Sequence, residues 1–240
     1  QTLTIDVTHP KAHYNLGLAY VQKGMLDEAL AAYKNAVQLD ENLADVPQET
    51  SAEAEPTGLL DQIIAAYQKI AKQNPNVAEN HQKLGAVYGL NNRPNEAIVA
   101  YQTAIRLQPQ HAMAYAGLGL AYSQKGMLSE AIAEYQKALM LQPALATVHS
   151  NLGLAYYRKG LMDEALRAFK RAIEIAPNLV IAHYYLGHAY KSKRLWDDAI
   201  MAYENALTFD ANLSGAHYNL RLVKRMKATE GNAPGAQTEK

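Results

Sequence analysis

The chain repeats itself every 34 residues. His13–Tyr20 reads HYNLGLAY, His149–Tyr156 reads HSNLGLAY and His183–Tyr190 reads HYYLGHAY. Looser copies are HQKLGAVY at His81–Tyr88 and YAGLGLAY at Tyr115–Tyr122. A second phrase follows each copy, such as NEAIVAYQTAIRLQP, SEAIAEYQKALMLQP and DEALRAFKRAIEIAP. The frame starts at Pro10, Ala44, Ala78, Ala112, Ala146, Val180 and Ser214. A period of this length marks one supersecondary unit that cannot bury its apolar face alone and must stack on copies of itself.

Each phrase is one amphipathic helix. Leu152, Ala155 and Tyr156 fall at i, i+3 and i+4; Ala165, Phe169 and Ala172 fall at i, i+4 and i+7. Between the helices stands Lys-Gly, at Lys23–Gly24, Lys125–Gly126 and Lys159–Gly160. Glycine there ends the first helix because it takes the left-handed conformation without a Cβ penalty. Asp27, Ser129, Asp163 and Asp197 open the second helix, and their short acceptor side chains are expected to cap its free amides. Pro75, Pro109, Pro143 and Pro177 mark its end.

These residues resemble the tetratricopeptide repeat family. Leu-Gly-x-x-Tyr in the first helix, Ala-x-x-x-Tyr/Phe-x-x-Ala in the second and the closing proline all match, over residues 10 to about 227. The resemblance implies an all-α fold, a right-handed α-α superhelix of tandem helix-turn-helix repeats. Ten of the sixteen tyrosines fall on the two signature aromatic positions and are expected in the core.

The stretch ADVPQETSAEAEPTG, Ala44–Gly58, departs from the pattern. The second half of its repeat is intact, with Gly58, Tyr67 and Pro75 in place, so the stretch reads as a degenerate first helix kept in register. Thr50 and Ala54 replace the usual leucine and tyrosine, and Pro56 enters the last turn. Losing two large apolar side chains forfeits roughly 1.5–3 kcal/mol each, and an interior proline costs about 3 more. The segment is expected to be short helix or loop, mobile, and to loosen the first repeat from those after it. Asp40 to Asp61 holds seven acids and no base. It reads as a solvated lapse or as an acidic docking strip.

Residues 1–9 align with the end of a second helix, which suggests part of an upstream repeat. Ser214–Lys227 begins like a seventh first helix, with Arg221 where the packing glycine stands elsewhere; this suits a cap with one polar face. Residues 228–240 have the composition of a disordered tail.

Composition narrows the chemistry. No cysteine is present, which excludes disulfides, thiolate metal sites and cysteine nucleophiles. The 23 basic and 23 acidic residues balance, and no continuous basic stripe suggests nucleic acid. The longest strongly apolar run, Ala112–Tyr122, is far short of the ~20 residues of a spanning helix, so membrane insertion is not expected. His13, His81, His149, His183 and His217 share the fourth position of their repeats and read as packing residues. Zinc–nitrogen bonds are ~2 Å whereas packed helices stand about 8–10 Å apart, so these rings do not converge on a metal. Gly117-Leu118-Gly119 lies inside a helix without a preceding strand and does not read as a dinucleotide site. No catalytic set stands outside the repeat pattern, and no cofactor is expected.

Arrays of the family line their concave wall with first helices, and by resemblance positions 2, 5, 9, 12 and 13 face the groove. This implies partner contact from Tyr14, Leu18 and Val21, then from Gln82 and Ala86, then from Ala116 and Leu120. The later repeats add Ser150, Leu154 and Tyr157, with Asn151 beside them at position 6, then Tyr184, His188 and Lys191, and finally Tyr218. The wall is largely apolar with scattered tyrosine, and such surface usually marks a partner site. The carboxylate clamp of some relatives is not matched: Leu18, Ala86, Leu120 and Leu154 hold its ninth position, and Lys11, Lys83 and Lys191 are scattered. Asn15, Asn151 and Asn219 at position 6 are similar to the asparagine ladder of O-linked N-acetylglucosamine transferase arrays, in three repeats only.

The expectation is a non-catalytic scaffold that binds a protein or peptide segment in its groove. Two other readings stay open: the recruiting arm of a larger enzyme such as a glycosyltransferase, and a self-assembling scaffold. Arg158 to Lys227 carries twelve bases and seven acids. A homo-oligomer is therefore possible, the basic end of one copy meeting the acidic strip of another.

Overall fold

The computed structural model describes residues 9–40 and 58–231. Twelve α-helices and no strand occur among the described residues. They fall into two units, residues 1–109 and 110–240. The first holds α1 (Pro10–Gln22), α2 (Leu26–Leu39), α3 (Leu59–Gln73), α4 (Ala78–Leu90) and α5 (Pro94–Leu107). The second holds α6 (Ala112–Gln124), α7 (Leu128–Leu141), α8 (Ala146–Arg158), α9 (Met162–Ile175), α10 (Val180–Ser192), α11 (Trp196–Phe209) and α12 (Ser214–Gly231). Both are stacks of antiparallel pairs, so the all-α tandem-repeat class is the one observed. Each helix packs on its partner in the pair and on the next helix in sequence within its unit.

Two positions of the repeat set how closely a pair packs. A ring from the second helix lies flat on a glycine of the first. A Cβ on Gly119, Gly153 or Gly187 would stand 2.7 Å from Tyr135, Phe169 or Tyr203 respectively. Those three rings are at most 1% exposed. Small alanines fill the rest of the seam: Ala165, Ala172, Ala199 and Ala206 are fully buried. Of the ten signature tyrosines, Tyr33, Tyr67, Tyr88, Tyr101, Tyr135, Tyr190 and Tyr203 are buried. Tyr20, Tyr122 and Tyr156 are half-buried.

The turn chemistry is as the sequence implies. Gly24, Gly126 and Gly160 have φ of +73°, +77° and +79°. Asn92 and Arg194 take the same turn with φ of 51° and 60°.

The capping expectation is corrected. Asp27, Ser129, Asp163 and Asp197 cap nothing: the N-cap residues are Met25, Met127, Leu161 and Leu195, and none of these helices has a side-chain cap. The four acceptors sit two residues past the N-cap, at the second helical position. They reach other helices instead. Lys159 Nζ donates to Ser129 Oγ at 2.9 Å. Lys193 donates to Asp163, and Lys227 to Asp197. In the first unit Asn91 Nδ2 donates to Asp61 Oδ1 at 3.1 Å, and Asp27 accepts from Tyr67 at 2.6 Å and from Lys83 at 2.7 Å. Those two donors hold the Asp27 carboxyl below the usual carboxylate range, Lys83 contributing most.

The histidines are more than filler. His81, His149, His183 and His217 each place Nε2 2.8–3.0 Å from the carbonyl oxygen six residues earlier, on Pro75, Pro143, Pro177 and Ala211. A first helix is thereby fastened to the turn that leads into it.

The degenerate first helix expected at Ala44–Gly58, except for Gly58 itself, and the upstream segment 1–8 lie outside the described residues, as does 232–240. α1 and α2 nevertheless pack on α3 within one unit; the division of the chain falls between Pro109 and Gln110. The cap helix runs to Gly231 rather than Lys227. Glu230, expected in the tail, binds the Trp196 indole N–H and Arg194 and so adds a turn to the helix.

Candidate functional site

In the second unit the first helices touch one another in a row, α6 on α8 and α8 on α10. α12 joins the row through Lys191 and Asn219, whose Nζ and Oδ1 are 2.7 Å apart. The one-turn spacing of positions 5, 9 and 12 brings these side chains to one stripe of each helix.

Side-chain length decides what that stripe offers. Ala116 and Ser150, both at position 5, are 8% and 3% exposed. They are too short to rise above the neighbouring helices and offer a partner no side-chain surface. Tyr218, at the same position in α12, is 62% exposed. Met113 and Leu120 of α6 and Ile181 of α10 also stand largely in solvent. Asn151, Leu154, Tyr157, Tyr184, His188 and Lys191 are partly covered.

The aromatic members of the row form a cluster. Tyr184 meets the His188 ring edge-on at 4.6 Å between centroids, and Tyr157 meets it at 6.2 Å. Tyr185 and Tyr203 close on the same imidazole at 5.7 and 5.6 Å. Burial, and then the Lys191 cation, push the His188 pKa down to about 4. His188 is therefore neutral at physiological pH, a covering residue more than a polar contact. Its Nε2 and the Tyr203 hydroxyl have no hydrogen-bond partner among the described residues.

Polar groups flank the cluster on both sides. Arg158 Nη1 donates to the Ser123 carbonyl at 3.2 Å and lies 3.4 Å from its Oγ, tying α8 to α6. Asn219 Nδ2 donates to the Gly215 carbonyl at 2.8 Å and reaches the Tyr184 hydroxyl at 3.5 Å. Asn219, grouped with Asn15 and Asn151 at position 6 by the sequence, was not among the expected contact residues, and its link to Lys191 spans two helices.

In the first unit Leu90, at position 13, is 44% exposed. Tyr14 is corrected from groove residue to core residue: it is 4% exposed, and its hydroxyl accepts the Leu59 N–H at 3.0 Å. That amide is one of the unpaired donors at the start of α3, so a distant tyrosine does what no local cap does. Leu18, Val21, Gln82 and Ala86 are partly covered. A separate cleft of about 460 Å³ opens between α4 and α5, walled by Leu84, Tyr88, Val99 and Ala100. One of about 260 Å³ at the matching positions of α8 and α9 is walled by Leu152, Tyr156, Ala168 and Arg171.

The basic end of the chain is partly neutralised within its own unit. Lys224 pairs with Glu204 at 2.9 Å and Lys227 with Asp197. The acidic strip that was its expected partner lies mostly outside the described residues. Among the described residues no helix is long and apolar enough to cross a membrane.

Comparisons with known proteins agree with the frame read from the sequence. Family models described as "TPR repeat" match residues 90–126 and 121–160, and those described as "Tetratricopeptide repeat" match 10–43 and 146–179. No curated protein matches the chain. Among solved structures, MamA is 31% identical with a TM-score of 0.57, covering 71% of this chain and 91% of that one. TTC0263, a thermophilic TPR protein of Thermus thermophilus, is 21% identical with a TM-score of 0.59 over 70% of this chain and 91% of its own. YrrB, described as a TPR protein with an unusual peptide-binding site, is 18% identical with a TM-score of 0.54 over 90% and 94%. The repeat register, the glycine–aromatic seam and these matches converge: the chain belongs to the tetratricopeptide repeat family.

Proposed function

We propose that this chain is a non-catalytic scaffold that holds an extended or helical segment of a partner protein along its row of first helices. Proteins built from these repeats typically serve interaction rather than catalysis. One observation carries the reading: Met113, Leu120, Ile181 and Tyr218 stand on that row with roughly half or more of their surface in solvent. Exposed apolar side chains in one stripe usually mark a partner site. Half-covered Leu154, Tyr157 and Tyr184 continue it. Apolar burial would supply affinity, and tyrosine hydroxyls would fix direction.

The test is affinity capture with the chain beside a Leu154→Ala/Tyr157→Ala/Tyr184→Ala variant of matched circular dichroism. The variant is expected to lose the captured set. An unchanged set overturns the groove assignment.

A further inference from the structure

The acids of the second unit are sorted by helix. α6, α8 and α10 contain no aspartate or glutamate, and α12 contains only Glu230, which is bound by Arg194 and Trp196. The other acids among the described residues of this unit sit on the second helices and at their ends: Glu130, Glu134, Asp163, Glu164, Glu174, Asp197, Asp198, Glu204 and Asp210. The first-helix row does carry cations. Arg158, Lys191 and Arg225 occupy positions 13, 12 and 12 of three consecutive repeats.

Lys191 is the informative one. It is partly buried, yet its hydrogen bond is to a neutral amide, Asn219 Oδ1. An ammonium has three donors, and no carboxylate among the described residues stands within ion-pair reach of this one. The cost is visible in its basicity, which burial lowers from the ordinary lysine range. A half-desolvated cation without a counter-charge is unfavourable by itself and gains from an arriving anion. The Tyr184 hydroxyl and the Asn219 amide stand beside it, 3.5 Å from each other.

We propose that the row formed by α8, α10 and α12 selects an acidic peptide, and that Lys191, with Asn219 and Tyr184 beside it, receives an aspartate or glutamate side chain of that peptide. This rests on the groove reading above and adds the chemistry of the occupant. Charge complementarity chooses it: a basic or neutral segment would leave Lys191 uncompensated, and a basic one would also meet Arg158 and Arg225.

The experiment is selection from an unbiased phage-displayed library of random dodecapeptides on the whole chain, followed by affinity measurement of the selected peptides at low and high salt. Selected peptides are expected to be enriched in Asp and Glu. Their binding should weaken about tenfold for Lys191→Met, the scale of one charge-assisted hydrogen bond. Lys191→Arg should restore most of it, and Arg221→Gln should leave it near wild type. Circular dichroism confirms that each variant is folded. Neutral or basic peptides, or acidic ones indifferent to Lys191→Met, overturn this proposal while the groove reading stands. Selection of no peptide, or only of peptides that still bind the Leu154→Ala/Tyr157→Ala/Tyr184→Ala variant, removes the groove reading and this proposal together.

Discussion

Gly153 and His188 show how much a single side chain decides in this chain. A methyl on Gly153 would meet Phe169 at 2.7 Å, and the ring, fully buried, has no room to retreat. Overpacking of this kind costs about 1–3 kcal/mol, so Gly153→Ala is expected to lower the unfolding free energy by that amount and the denaturation midpoint with it. A midpoint equal to wild type would show that the seam is looser than these distances state. His188 sets a pH dependence. Its pKa is pushed down to about 4 in the folded chain, against an ordinary value near 6.5. Between those values the unfolded chain binds a proton there that the folded chain refuses, so stability is full above about 6.5 and falls as pH drops toward 4. Urea unfolding at pH 7 and pH 4.5 should show a loss for the wild type exceeding that of His188→Phe by about 1 kcal/mol, the shift being discounted because solvent reaches part of the ring. Equal losses would contradict the burial of the imidazole.

At the scale of the helix, ends and turns set how one helix meets the next. The second helices lack side-chain caps, and the acceptors at their second position bind other helices. Exposed ties of this kind add little free energy; they fix which turn of one helix faces which turn of the next. The histidine link to the preceding turn works in the same way. His149 reaches the Pro143 carbonyl at 3.0 Å, and Tyr115 holds the equivalent place one repeat earlier. His149→Phe keeps an aromatic ring there but drops the hydrogen bond, whose net worth is about 0.5–1.5 kcal/mol. Because Pro143 is exposed, its carbonyl returns to water, and the loss is expected at the low end of that range. Chemical denaturation checks it; a stabilised variant would mean that the bond constrains nothing.

For the molecule as a whole, packing is between nearest neighbours. Every well-populated helix contact within a unit joins consecutive helices or next-but-one helices. Stability is then close to a sum of repeat and interface contributions. Residues 110–240, with α12 as their cap, are expected to keep their helical circular dichroism when expressed alone and to unfold cooperatively on heating. A non-helical or aggregated fragment would refute additivity at this level.

The sequence by itself determined the period, the twelve described helices apart from their end residues, the left-handed glycine turns and the aromatic core. Each of these follows from local conformational preference or from apolar spacing along one helix, and both are written in consecutive residues. The family resemblance supplied the expected positions of the first-helix stripe. It did not tell which of them reach solvent. Ser150 and Tyr218 share a position, and only their lengths against the neighbouring helices separate a buried residue from an exposed one. Nor did it show that Tyr14 would end on the amide of Leu59, or that Asp163 would bind Lys193 instead of its own helix. The Lys191–Asn219 pairing is of the same kind. Those are contacts between residues 28 to 45 positions apart, set by how one helix pair leans on the next, and only the stacked chain decides them.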